Sequence, residues 1–479
     1  MTIENINVEA AVKRVNELVA AEKNLSPALK ASLEVLLLLV SILVNRLGLN
    51  SRNSSTPPSA DRYRLKKLKE PSGRKPGGQH GHIGTTLKQV AEPDEIKTIS
   101  IDRTTLPQGT YRDVGYEARQ VVDIDISTVV TEWRAQILED ENGKRYVAPF
   151  PEEVTRPVQY GIGVKVNAVY MSQYQLIPYN RIEDHFLDQM QIPVSAGSIN
   201  NFNKDAYERL EYFDTWVRRQ LSLSPLLHAD ETGINIGGRG HWLHSTSNDG
   251  FSYFYPHAKR GGEALDEIGI LPGYKGIICH DHWKPYYNYG GSHALCNAHH
   301  LRELERAFEQ DGQQWAQVMA VLLKEIDKAT QEAGGRLTAS DSEHYRKRYR
   351  DLLTQAEIEC PAPDDNTRKG KRGRMARSKS RNLLERLRDF ENDVLRFMDD
   401  EKVPFSNNQA ENDIRMTKVQ QKISGCFRSL DGAKIFCRIR SYLSTCRKQG
   451  VTASEALRLL FQGKWPEFMN NDLMAMIAE

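Results

Sequence analysis

Apolar runs that stop at acids mark the middle of the chain. Leu226-Leu227-His228-Ala229-Asp230-Glu231-Thr232 opens apolar and ends in adjacent carboxylates, and Gly276-Ile277-Ile278-Cys279-His280-Asp281 repeats the form, its aspartate 51 positions after the first. Short apolar runs bounded in this way read as buried strands. The same pattern predicts strands over Leu226–Ile236, His241–Ser245, Phe251–His257, Gly276–Asp281 and His293–Cys296. The break Arg260-Gly261-Gly262 before Glu263–Ile268 predicts a helix crossing between the third and fourth of them. Side chains alternate along a strand, so Asp230 and Glu231 point to opposite faces and only one of them enters a given site.

Helical periodicity occupies most of the rest. Val8–Glu22 carries a helical pattern, and Ser26 caps a second helix with Pro27 in its first turn. Leu29, Leu33, Leu36, Val40, Leu43 and Leu47 alternate spacings of four and three, a coiled-coil seam. Val35, Leu37, Leu39, Ile42 and Val44 widen that stripe toward a buried bundle helix, so self-association and local burial both stay open. Between Ile99 and Pro151, alternation over Val121–Ile126, Val129–Leu138 and Arg145–Ala148, with a hairpin signal at Asn142-Gly143, predicts a small β module. Arg181–Met190 reads as a helix, Ile192-Pro193 as a turn, and Ser195 as the cap of a helix carrying Ile199, Phe202, Ala206 and Leu210; such a pair suits a helix-turn-helix but also occurs away from DNA. From Ala298 to about Asp400 two stripes appear, Trp315, Met319, Leu322 and Ile326, then Leu383, Leu387, Phe390, Val394 and Phe397. Final helices are expected over Gly432–Gln449 and Ala453–Phe461.

Three antiparallel strands followed by a crossover to a fourth describe a mixed sheet of the ribonuclease H type, with Asp230 and Asp281 on adjacent central strands. Two carboxylates brought together repel unless a cation lies between them, and hard cations such as magnesium or manganese take oxygen ligands.

At 479 residues the chain exceeds one ordinary core. Its net charge is only +2, but the cations are clustered, which is what a polyanion meets. A Ser-, Pro- and Gly-rich stretch from Asn50 to about Gly84 cannot bury a core; its cations, including Arg74 and Lys75, suit either a solvated linker or a track along phosphates. Arg368-Lys369-Gly370-Lys371-Arg372-Gly373-Arg374 reads as a flexible polyanion contact, with a solvated loop as the plainer alternative. The six cysteines lack paired spacing and no signal peptide opens the chain, so reduced thiols in the cytoplasm are expected. The longest apolar run, Val35–Val44, is interrupted by Ser41 and falls short of the roughly 20 residues of a membrane span, so no membrane partner is expected.

One more stretch carries chemistry. In Ser406–Lys418, Asn407 or Asn408 caps a helix whose first turn holds Glu411, with Arg415 and Lys418 at i+4 and i+7 on the same face. A carboxylate with two cations below it suits a site for metal and phosphate; a surface ion ladder is the plainer alternative.

Together these motifs resemble the transposases of the insertion sequence 66 family, in the DDE superfamily. The resemblance runs over Asn50–Asp61, Gly73–Gly84, His228-Ala229-Asp230-Glu231-Thr232, the His280–Tyr286 stretch, Leu295-Cys296-Asn297-Ala298-His299, Ser406–Arg415 and Lys422-Ile423-Ser424-Gly425-Cys426-Phe427-Arg428-Ser429. It implies an α+β, multidomain chain with a ribonuclease H-like catalytic core, a helical insertion before the third acid, N-terminal helices and a small β module. The divisions expected are 1–49 helical oligomerisation region, 50–95 basic linker, 96–160 β module, 161–222 helical DNA-binding region, 223–300 with 402–450 catalytic domain, 301–401 insertion with its basic loop, and 451–479 helical tail.

The resemblance further implies an acidic triad of Asp230, Asp281 and Glu411, holding two magnesium or manganese ions for in-line phosphodiester displacement. It implies DNA contacts from Arg74, Lys75, Arg368, Lys369, Lys371, Arg372, Arg374, Arg415, Lys418 and Arg428. Many relatives carry cysteine pairs in the β module, whereas Ile99–Pro151 has none, so zinc is not expected there. Cys296 and His299 have a ligand-like spacing, but without a second pair they are assigned to packing and local hydrogen bonds. The expected partners are the element's terminal inverted repeats, target DNA, a second copy of the chain and accessory proteins encoded by the element; the expected location is the bacterial cytoplasm, on the nucleoid. Two other readings are a non-catalytic DNA-binding protein derived from a transposase, and a structure-selective nuclease without joining activity.

Overall fold

A computed structural model describes residues 2–3, 6–22, 25–47, 49–50, 52–54, 87–363 and 377–470. Two short strands, β1 (Thr2–Ile3) and β2 (Ile6–Asn7), lead into α1 (Val8–Ala21), which packs on α2 (Pro27–Leu47). Ser41 does not interrupt α2, because its hydroxyl donates to the Leu37 carbonyl within the helix at 2.9 Å. The apolar window is therefore longer than the run Val35–Val44 read from the sequence: Pro27–Val44 is long and apolar enough to cross a membrane by length and composition alone. Leu29, Leu36 and Leu43 of the seam are exposed on the single chain.

The alternating region delivers less sheet than its pattern predicts. β3 (Ile137–Glu139) and β4 (Arg145–Val147) pair across Asn142-Gly143, where Gly143 adopts the φ of +77° that the tight turn requires. Val121–Ile126 and residues 129–136 form no ladder. The reason is burial: Val121, Ile124, Val129 and Val130 are all exposed, and alternation holds a strand only where one face is covered.

Four helices follow: α3 (Ile162–Val169), continued by a π turn at Tyr170–Tyr174, then α4 (Tyr179–Met190), α5 (Ala196–Arg209) and α6 (Glu211–Ser222). Ser195 caps α5 by accepting the Ser198 N–H, and Ile199, Phe202 and Ala206 face inward. The sheet then forms from β5 (Leu226–Ile236), β6 (Arg239–Ser247), β7 (Ser252–His257), β8 (Ile277–His280) and β9 (Ser292–Leu295), with α7 (Gly262–Ile268) crossing between β7 and β8. Its order is β7-β6-β5-β8-β9: β5, β6 and β7 are antiparallel, and β8 and β9 run parallel to β5. Leu227, Ala229 and Ile278 lie in the core shared with α3–α6, whereas Ile234, Ile236 and Leu243 lie in a core with Ile414 and Phe436. Both faces are thus covered, which is why the parallel half reads as continuous apolar runs.

Between β9 and the helix that carries Glu411 come α8 (Asn297–Asp311), α9 (Gln314–Glu332), α10 (Ala339–Glu359), α11 (Lys379–Asp389) and α12 (Glu391–Asp399). Their apolar stripes enclose a core that continues into Cys279, Ala294 and Leu295 of the sheet. The chain returns through α13 (Asn408–Ser424), α14 (Leu430–Lys448) and α15 (Ala453–Phe461). α14 covers the edge of the sheet: the hydroxyls of Thr445 and Ser441 accept the N–H groups of Ser252 and Phe254 on β7, at 3.1 and 2.9 Å. An open edge would leave those donors unpaired. Ser441→Ala and Thr445→Ala are each expected to cost about 1–3 kcal/mol by orphaning a buried donor. Urea unfolding with an unchanged slope checks this, and Ser441→Thr should lose less.

Candidate active site

Parallel pairing sets the first two acids level. His228 pairs with Cys279, and continuing the register by two residues brings Asp230 beside Asp281 just past the last β8 pair. Neighbouring strands lie ~4.8 Å apart, so the two carboxylates leave the sheet side by side. Alternation puts both on the face opposite Leu227, Ala229 and Ile278. Asp281 Oδ1 accepts the Trp283 N–H at 3.0 Å, closing a turn in which His282 takes a φ of +71°. That left-handed backbone is held by the His282 N–H donating to His280 Nδ1 at 3.1 Å and by the His282 ring standing edge-on to Phe390, 4.6 Å between centroids.

The third acid arrives from far along the chain through a buried asparagine. Asn407, immediately before α13, donates its side-chain amide to the Ala229 carbonyl at 2.9 Å, meets His228 Nδ1 with its carbonyl oxygen at 2.7 Å, and donates its backbone N–H to Cys296 Sγ at 3.1 Å. The start of α13 is thereby fixed to the residue preceding Asp230. Further on, the Lys418 ammonium donates to the Gly233 carbonyl at 2.9 Å. With those two pins α13 lies along β5, and Glu411 occupies its first turn. Glu411 Oε1 accepts from Arg302 Nη2 of α8 at 3.0 Å and lies 3.5 Å from His299 Nδ1.

Charge gathers at this edge. Burial pushes the Asp230 carboxyl well above its ordinary range, and the nearby carboxylates of Glu231, Asp281 and Glu411 push it further. Asp230, Asp281 and Glu411 are all half-buried, shielded yet reachable. Burial depresses the His299 imidazole and the Arg302 cation depresses it further, so it is a neutral ring at physiological pH. Burial also raises the Cys296 thiol to about 11.

Glu231 takes the opposite face, as alternation requires. It is buried, accepts from the Tyr286 hydroxyl at 2.6 Å and from Arg260 Nε at 2.8 Å, and Arg260 lies between the indoles of Trp242 and Trp283, 4.8 and 4.6 Å from their centroids. Burial raises the Glu231 carboxyl, and Tyr286 and Arg260 oppose that rise.

The ladder read from the sequence on α13 does not form. Glu411 pairs with Arg302 rather than Arg415, and Lys418 is spent on a sheet carbonyl, because α13 faces α8 and β5 where its sequence alone shows only its own cations. Nor does Asn407 cap the helix with its side chain; that amide is used across the sheet. Arg415 and Arg428 are exposed. Arg74, Lys75, Arg368, Lys369, Lys371, Arg372 and Arg374 lie outside the described residues. Sequence reasoning missed Arg302, Arg260 and the clamp at Asn407. The available signal for the first was its i,i+3 spacing from His299 on one helix face.

A five-stranded mixed sheet whose central strands β5 and β8 run parallel, with helices packed on it, is the architecture of a ribonuclease H-like domain. The family model of the IS66 transposases matches residues 158–435, more than half of the chain, and the chain belongs to that family. The family is one of DNA-acting transposases of the DDE class, which generally use divalent metals. A second model, a family of unknown function (DUF6444), matches residues 3–88. No curated protein matches the chain.

The raised Asp230 carboxyl has a signed consequence for stability. A carboxyl whose folded pKa exceeds its unfolded value contributes stability at low pH that is lost as pH rises through the folded pKa. Metal-free protein should therefore lose stability as pH rises above the ordinary carboxylate range, Asp230→Asn should flatten that decline, and magnesium should restore wild type but not the variant; chemical denaturation across pH reads all three. Asn407→Ala should cost about 1–3 kcal/mol, since the Ala229 carbonyl and His228 lose their buried partner.

Proposed function

We propose that this transposase cuts DNA at the ends of its element and joins them to a target at one site, where Asp230, Asp281 and Glu411 hold two magnesium or manganese ions. The observation that carries the reading is the convergence of charge at one sheet edge: Asp230 on β5 feels the carboxylates of Asp281, just past the paired end of β8, and of Glu411, on a helix pinned beside it. The donor set fits hard divalent cations: three carboxylates with mutually unfavourable charge that a cation relieves. Bound there, the ions supply an activated attacking oxygen and a stabilised leaving oxygen for in-line displacement.

The chain's own residues do the positioning. Asp230 is fixed within β5 by its pairing with β6, and Asp281, one residue past β8, is fixed by the turn that its own Oδ1 closes with the Trp283 N–H. Arg302 holds Glu411 by one oxygen and leaves the other for an ion. Arg415 and Arg428, exposed on and just beyond α13, are assigned to backbone phosphates, as are Arg74, Lys75, Arg368, Lys369, Lys371, Arg372 and Arg374. The exposed leucine seam of α2 is assigned to a second copy of the chain, and the protein to the cytoplasm, on DNA.

A strand-nicking and joining assay on end-sequence DNA tests the reading. Magnesium-dependent nicking and joining are expected from wild type. Asp230→Ala, Asp281→Ala and Glu411→Ala should each lose both while retaining DNA binding. Normal joining by Asp281→Ala would refute the assignment, and nicking without joining by wild type would leave a nuclease.

A further inference from the structure

We propose that Cys296, His299 and Glu411 form a second cation site, selective for zinc-like ions, that competes with the carboxylate site for Glu411. Taken from the sequence alone, Cys296 and His299 lacked further ligands; the fold supplies one from α13. One donor atom from each of the three lies within 4.8 Å of the others. Cys296 precedes α8 and His299 sits in its first turn, so the pair is presented by one rigid helix start. Two further observations point to a ligand. The Asn407 N–H already donates to Cys296 Sγ at 3.1 Å, the kind of support that a metal-bound thiolate takes from its surroundings. His299 Nδ1 is buried with no hydrogen-bond partner among the described residues, and the Glu411 oxygen nearest to it is 3.5 Å away.

The chemistry separates this site from its neighbour. One sulfur, one imidazole nitrogen and one carboxylate oxygen are ligands for zinc, with a fourth position open, whereas magnesium takes oxygen alone. Loading exchanges the thiol proton of Cys296, released to solvent, for the metal. Arg302, 3.0 Å from Glu411 Oε1, is the opposing charge that an ion must face, so removing it should tighten binding. A carboxylate bonded to an ion beside α8 is withdrawn from the aspartates. That inhibitory consequence rests on the proposed function; the binding itself does not.

Cobalt(II) titration of the metal-free full-length protein reads the site directly. One equivalent should produce a thiolate-to-cobalt charge-transfer absorption that zinc bleaches and a large excess of magnesium does not. Cys296→Ser should abolish the band and His299→Gln should abolish it or weaken binding at least tenfold, while Cys426→Ser, at the exposed cysteine, keeps it. His299→Gln leaves the thiol in place and decides the matter if Cys296→Ser does not fold. Arg302→Gln should bind cobalt more tightly. No band in wild type, or an unchanged band in both Cys296→Ser and His299→Gln, overturns the site. With DNA, zinc should inhibit magnesium-supported nicking in wild type and inhibit Cys296→Ser far less, each relative to its own zinc-free rate. A cobalt band without zinc inhibition keeps the site and overturns the competition; a band from a protein without any nicking activity overturns the proposed function alone.

Discussion

The structure depends on one buried side-chain amide. Asn407 spends both ends of its carboxamide on β5 and its backbone N–H on Cys296, so a single residue joins the central strand, the start of α8 and the start of α13. Each of those contacts is buried, where an amide left unpaired is costly and a paired one is rigid. Without it the sheet would still present two aspartates, but the start of α13 would lose its buried tie to β5 and α8, leaving Lys418 and the Glu411–Arg302 pair to hold the helix. The clamp converts a separation of well over a hundred residues into a contact at the next residue along β5.

Rigidity is needed because the edge it creates is electrostatically unfavourable. Four carboxylates, counting Glu231 on the far face, act on one another at the end of the sheet, and burial adds to the penalty. The chain offsets only part of it. Glu231 is neutralised by Arg260 and Tyr286, and Glu411 by Arg302, while Asp230 and Asp281 have backbone N–H donors as their partners. The two residues with the least compensation are the two just past the last pair of the central parallel strands. Such an arrangement is stable in a fold only where the surroundings hold it in place.

Much of this was legible in the residues themselves. The β5 span follows from its apolar run and its acids, and α7 from the glycines before it; the mixed sheet, the helical insertion and the hairpin at Asn142-Gly143 followed from period and turn chemistry. What the sequence did not disclose is contact across long separations. Asn407 looks like any helix cap, Lys418 like any surface cation, and Arg302 like one more arginine on a polar helix, until α13 is laid against β5 and α8. The overreading of Val121–Ile126 has the complementary cause: alternation records which face a strand would bury, and among the described residues nothing covers that face. Ser41 shows the same limit in reverse, a polar residue in an apolar run whose hydroxyl is satisfied inside its own helix.

The order in which the chain is made gives the five helices between β9 and α13 a further meaning. A nascent polypeptide leaving the ribosome has β5 and β8 available, with Asp230 and Asp281, long before residues 407–411 exist. Until that later stretch is synthesised and Asn407 seats against Ala229, the edge holds two carboxylates and no third. Completion of the acidic cluster therefore reports that the intervening helical body has been built and has folded back, so that an unfinished chain, still tethered near the message that encodes it, carries only two of its three acids.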